Sequence, residues 1–142
     1  MYDEVLLPTD GSDGTEAALA HAEALGLAFD ARVHVLFVAD TNRDSVATLA
    51  GGETTDVLSE KGHEIVEETS AALDPAVDRV TEVLQGDPHG TIVDYADEYG
   101  VDLVVMATHG RRGLDRFLLG SVTERVVRTA NVPVMTVRLD EE

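Results

Sequence analysis

Residues 103–137 read LVVMATHGRRGLDRFLLGSVTERVVRTANVPVMTV, and their reading decides the fold. The stretch has four parts. Leu103–Ala107 is wholly apolar, as a strand covered on both faces must be. Thr108–Gly120 is a basic loop holding Gly110, Gly113 and Gly120. Ser121 opens an amphipathic segment: Ser121 and Glu124 have capping-box spacing, and Val122, Val126 and Ala130 recur at intervals of four. Val132–Val137 is a second apolar run. Strand, loop, helix and strand in this order form the repeating unit of a parallel sheet, because parallel neighbours need a crossover and a helix supplies it.

Charge sets the same stretch apart. Between Ala107 and Arg138 six arginines face two acids, in a chain whose formal net charge is −18. A positive island in so acidic a protein suits an anion, and phosphate is the first candidate. Glycines let several backbone N–H groups converge on one point, and a helix start offers free donors and a favourable dipole. On spacing alone two readings stand. In one, Gly110 and Gly120-Ser121 cradle phosphate, and the Ser121 and Thr123 hydroxyls add donors. In the other, Gly110 and Gly113 only turn the chain and Ser121 only caps a helix. No G-K-[ST] follows, so this is not a Walker A loop.

Upstream the same alternation repeats. Val5, Leu6 and Leu7 read as a buried strand ending at Pro8, and Thr9–Gly14 is a turn into a helix that runs to about Phe29. Its inner face is read as Ala17, Ala20, Ala24, Leu25 and Ala28. Arg32–Val38 is the most β-rich run. A polar connection from Ala39 to about Thr55 follows, in which Ser45–Ala50 has the makings of a helical turn. A helix is expected from about Asp56 to Leu73, with Leu58, Gly62, Ile65, Thr69 and Leu73 inward. Val77–Leu84 mixes apolar and charged residues and suits an edge strand. Asp87 as N-cap and Pro88 at the first helical position start a further helix, with Ile92, Ala96 and Tyr99 on one side and Gly100 closing it. Five strands alternating with four helices give a parallel sheet with helices on both faces. In such a sheet the segments leaving the first, second and fourth strands, at Pro8–Ser12, Val38–Asp40 and Ala107–Gly120, share one edge, where ligands bind.

Composition bounds the rest. The 142 residues are expected to form one domain, residues 1–142. Tryptophan is absent and aromatic content is 4%, so the core rests on Val, Leu, Ile and Ala. No run approaches the ~18 apolar residues of a membrane span, no cationic flank marks a signal peptide, and there is no cysteine. A cytoplasmic protein is expected. Its acidity should repel nucleic acid and anionic membranes. Lys61 is the one lysine, and the acids are spread along the chain; a surface adapted to concentrated salt has this composition. The five histidines show no zinc spacing, and no nucleophile elbow is present, so neither metal nor catalytic residues are assigned.

The motif Ala107-Thr108-His109-Gly110, residues 111–119, then Gly120-Ser121, with the flanks LLGSVTERVVR and NVPVMTVR and the opening VLLPTDGS, resembles the universal stress protein family. Its nucleotide-binding members carry G-x2-G-x9-G-[ST], and the resemblance covers essentially the whole chain. It implies a doubly wound, Rossmann-like sheet of order 3-2-1-4-5, an ATP ligand with or without Mg2+, and a homodimer formed through the last strand, Val132–Val137. It implies that Asp10 neighbours ribose or phosphate, with Pro8 and Thr9 lining the site, that Val38 meets adenine through its backbone, and that Gly110, Arg111, Gly120, Ser121, Val122 and Thr123 bracket the phosphates. Ala107 stands where the family has its first glycine. If the backbone there has positive φ, the methyl brings strain; if not, it brings only bulk beside the ribose. A nucleotide-dependent regulatory dimer is the leading reading. A slow ATPase or phosphotransferase and a dimeric interaction module without nucleotide are the alternatives. A flavodoxin-like flavin site is disfavoured by the scarcity of aromatics.

Overall fold

The structure is a computed structural model, and it describes residues 1–10, 13–40, 53–108 and 121–138. Its elements are β1 (Glu4–Pro8), α1 (Asp13–Phe29), β2 (Arg32–Asp40), α2 (Glu53–Ala72), β3 (Asp78–Gly86), α3 (Pro88–Glu98), β4 (Leu103–Ala107), α4 (Ser121–Thr129) and β5 (Val134–Val137). The strands form one parallel sheet in the order β3-β2-β1-β4-β5, the expected doubly wound order. β3 is an edge strand, as its mixed composition predicts.

Strand alternation sends the core to both faces. Val5, Leu7, Val33, Val35, Leu103 and Val105 pack with Ala18 and Ala22 of α1 and Val66 of α2. Leu6, Leu36, Val104 and Met106 pack with Ile92, Tyr95 and Ala96 of α3 and Val126 of α4. The two layers of helices make the fold doubly wound and leave the strand ends open along two edges.

Caps set the helix boundaries. The Asp87 side chain accepts from the Gly90 N–H, and Pro88 follows at the start of α3, as expected. Gly100 follows the same helix with φ +65°, a conformation that favours glycine. At the end of α2, the Arg79 guanidinium reaches back to the carbonyls of Ser70 and Asp74, cations where the helix dipole wants them.

Three expectations need correction. In α1 the buried residues are Thr15, Ala18, Ala22 and Gly26, while Ala20, Ala24 and Ala28 are exposed. Alanine occurs on every side of this helix, so spacing does not select a face. In α3 it is Tyr95, not Tyr99, that joins Ile92 and Ala96 in the core. Tyr99 lies at the C-cap and is 48% exposed, its ring tilted 36° against that of Tyr95 with centroids 4.4 Å apart. Ala39 and Asp40 extend β2, and α2 starts at Glu53, so both ends of the anticipated connection are regular structure. The helical turn expected at Ser45–Ala50 and the Leu58 side chain lie outside the described residues.

The layer under α3 contains a polar network. His34, in the middle of β2, is buried, with Nδ1 2.7 Å from the Tyr95 hydroxyl and Nε2 2.7 Å from a Glu4 carboxylate oxygen. Burial, reinforced by Glu82, Tyr99 and Glu4, pushes the Tyr95 phenol up from 10.0 to about 12. An ionised Glu4 carboxylate can only accept, so Nε2–H donates to it, and in the neutral ring Nδ1 is then the acceptor that takes the Tyr95 proton. A raised folded-state value stabilises the protein below pH 10, and this contribution is lost as pH climbs through about 12. Titrating tyrosinate absorbance should show a phase near pH 12 that Tyr95→Phe removes, and the variant should unfold in alkali with a flatter pH dependence between those limits. Loss of the hydroxyl should also cost about 1–3 kcal/mol at neutral pH, because the imidazole keeps a buried acceptor without its donor.

Candidate nucleotide site

Strand order reverses between β1 and β4, and in open parallel sheets ligands occupy the crevice beyond the carboxyl ends at that point. Pro8 ends β1 opposite Leu36, and the Thr9 N–H makes one more rung to the Leu36 carbonyl at 2.8 Å. Thr9 is buried; its hydroxyl donates to the Thr15 hydroxyl at 3.2 Å, and Thr15 in turn points its proton at the Asp10 carboxylate, 3.5 Å away. Asp10 is exposed at the edge with this pair of threonines behind it.

β2 runs past the end of β1. The rung from Thr9 places the Leu36 carbonyl on the β1 side. Backbone polar groups alternate along a strand, so those of Val38 project to the same side, beyond the last residue of β1. This is the position the resemblance gives to an adenine contact through the backbone. The Val38 side chain is half-buried against the cluster beneath α3 and α4.

Ala107 is the last residue of β4. Among the described residues Asp30 is the non-glycine with positive φ, so Ala107 is in ordinary extended backbone and its methyl brings no backbone strain. Its carbonyl accepts the Thr123 hydroxyl at 2.8 Å. Ser121, exposed, and Val122, half-buried, complete the first turn of α4, whose N–H groups have no partner within the helix. The topology thus brings Pro8, Thr9, Asp10, Val38, Ala107, Ser121, Val122 and Thr123 to one edge. Gly110, Arg111 and Gly120 lie outside the described residues. Thr15 escapes a reading of the sequence because a threonine in the first turn of a helix carries no signal of its own. Among the described residues no cluster of His, Cys, Asp and Glu could hold a metal ion, and no helix is long and apolar enough to cross a membrane.

The sequence matches the Universal stress protein family over residues 1–138. This chain belongs to the universal stress protein family. Among universal stress proteins, MJ0531 of Methanocaldococcus jannaschii is 37% identical over 142 residues, covering 97% of this chain and 83% of that protein. MJ0577 of the same organism is 33% identical over 155 residues, covering 97% and 96%. The solved structure of MJ0577 superposes with a TM-score of 0.88 over 100% of this chain and 99% of its own. A universal stress protein solved in complex with cAMP has the same fold, with a TM-score of 0.64 at 24% identity, covering 96% of this chain and 97% of that one. The sheet order that the resemblance implies is the one found here, and the two ends of the motif, Ala107 and Ser121, are the last residue of β4 and the first of α4.

Proposed function

We propose that this universal stress protein binds an adenine nucleotide, ATP with or without Mg2+, and acts as a cytoplasmic homodimer whose contacts depend on that nucleotide. The observation that carries the reading is the first turn of α4, standing at the carboxyl end of β4 beside the β1–β4 switch point. Free N–H groups and the positive end of a helix dipole favour phosphate there, in the stretch where the arginines gather. In this reading Gly110, Arg111, Gly120, Ser121 and Val122 surround the phosphates. Asp10, with Pro8 and Thr9, receives the ribose or a phosphate, and the backbone of Val38 receives adenine. In the universal stress protein solved with cAMP, a fold of this kind holds an adenine nucleotide. β5 is the other edge of the sheet and has half-buried Val134 and Met135, which suits pairing with a second copy.

The test is to denature the purified protein, identify what small molecule is released, and titrate the refolded or stripped protein with ATP, ADP and AMP. Release of an adenine nucleotide, or saturable ATP binding, is expected. A folded protein that releases none and binds none in high salt leaves the family's nucleotide-free mode of action. Sedimentation that shows only monomer at micromolar concentration removes the dimer from the proposal.

A further inference from the structure

Thr123 is 5% exposed and sits in the first turn of α4, and its hydroxyl donates across sixteen positions of sequence to the Ala107 carbonyl at 2.8 Å. The motif segment leaves the sheet at one of these residues and enters the helix just before the other. A threonine hydroxyl has a single proton. Here it is committed to a carbonyl, so the oxygen would turn only lone pairs toward a phosphate, and those repel it. The acceptor is itself well anchored: Ala107 pairs with Val137, and the next N–H, of Thr108, donates to the Val137 carbonyl at 2.9 Å.

We propose that Thr123 is a positioning residue and not a phosphate ligand: its hydroxyl clasps the first turn of α4 to the end of β4. In this way it fixes where the free helix N–H groups meet the phosphates. The inference rests on the nucleotide reading above. The neighbouring contact shows why a clasp is needed. Val126, one turn on, is fully buried and sets which side of α4 faces the sheet. Apolar contact is non-directional, however, and tolerates sliding of the helix along its axis. One well-formed, half-buried hydrogen bond at the helix start removes that freedom before any ligand arrives, which is the preorganisation that tight binding requires.

The experiment compares Thr123→Val, which keeps the shape and loses the hydroxyl, with Thr123→Ser, which keeps the hydroxyl. ATP and adenosine are titrated into each and into the wild-type protein, with circular dichroism to show that all three are folded. Thr123→Val should bind ATP about tenfold more weakly, the effect of one hydrogen bond, while the loss for adenosine stays within about twofold. Thr123→Ser should recover most of the ATP affinity. Equal losses for ATP and adenosine overturn the clasp, since a general loosening of the fold would not single out phosphate. So does wild-type ATP affinity in Thr123→Val, or a serine variant as weak as the valine one. A wild-type protein that binds neither compound overturns the nucleotide reading, and this role with it, whereas the other outcomes bear on Thr123 alone.

Discussion

Gly62→Val is expected to unfold this protein at ambient temperature, and Gly62→Ala to cost about 1–3 kcal/mol of stability, the range for overpacking a core. Gly62 is buried where α2 crosses β2. A Cβ built on it would lie 2.4 Å from Cδ2 and 2.8 Å from Cε2 of Phe37, closer than carbon atoms approach in real structures. The Phe37 ring is half-buried and packs against the layer that includes Val66 of α2, so moving it aside costs packing. Alanine recovers about 1 kcal/mol of helix propensity over glycine, which offsets part of the clash. Valine adds two further carbons and a side chain that is stiff at χ1, and nothing offsets these. Urea denaturation of the wild type, Gly62→Ala and the double variant Gly62→Ala/Phe37→Leu measures the effect. The smaller, flexible leucine should restore part of the loss, giving a coupling of about 0.5–2 kcal/mol between neighbouring sites. If Gly62→Ala is more stable than the wild type with Phe37 intact, the close approach of α2 to β2 is wrong.

The contrast between α1 and α2 shows why some of this fold is legible in the sequence and some is not. In α2 a few large or β-branched residues stand out from a background of acids, and Gly62, Thr69 and Leu73 are buried as read, while Ile65 is half-buried and its neighbour Val66 takes the core position. In α1 alanine fills both the inner and the outer positions, so periodicity carries no information and only the packing of Ala18 and Ala22 decides the face. Composition places two of the strands, β4, the wholly apolar run, inside the sheet and β3, the charged run, at an edge, while the full order is what the resemblance implies. The site divides in the same way. The edge it is read to occupy is legible, because the segments leaving β1, β2 and β4 share it in a sheet of this kind, whereas spacing alone leaves the glycine-punctuated loop open between a phosphate cradle and plain turns. The direction of a single proton is not: the Thr123 hydroxyl reads as a phosphate donor in the sequence and is engaged with Ala107 in the fold. The conformation of Ala107 likewise depends on where β4 ends, which composition does not fix to the residue. His34 does leave a trace, a polar side chain between Val33 and Val35 in a buried strand, but its partners Glu4 and Tyr95 come from distant parts of the chain.

Stability should rise steeply with salt, and the surface of α2 shows the cause. Glu60, Glu64, Glu67 and Glu68 are all exposed on this helix. Glu60, Glu64 and Glu68 follow one another at four-residue intervals, the spacing at which like charges oppose a helix. Lys61 is the one lysine available to offset them. With a formal net charge of −18 over the whole chain, the same repulsion acts between elements as well as within them. Screening length falls from about 10 Å at 0.1 M to about 3 Å at 1 M, so interactions that span the surface at low salt are confined to immediate neighbours at high salt. Thermal melts from about 0.05 M to about 2 M potassium chloride should therefore show a monotonic rise in Tm, steepest at the low-salt end and levelling as the screening length approaches about 3 Å near 1 M. Glu68→Lys turns the Glu64–Glu68 repulsion into a Glu-to-Lys attraction in the favourable orientation, worth about 0.5 kcal/mol at low salt. It should raise Tm most where salt is lowest and converge on the wild type where salt is highest. Parallel curves for the two proteins would mean that salt acts through the apolar core and not through charge. A Tm that does not move with salt would show that the acids are not under mutual strain, and the acidic composition would then need a different cause.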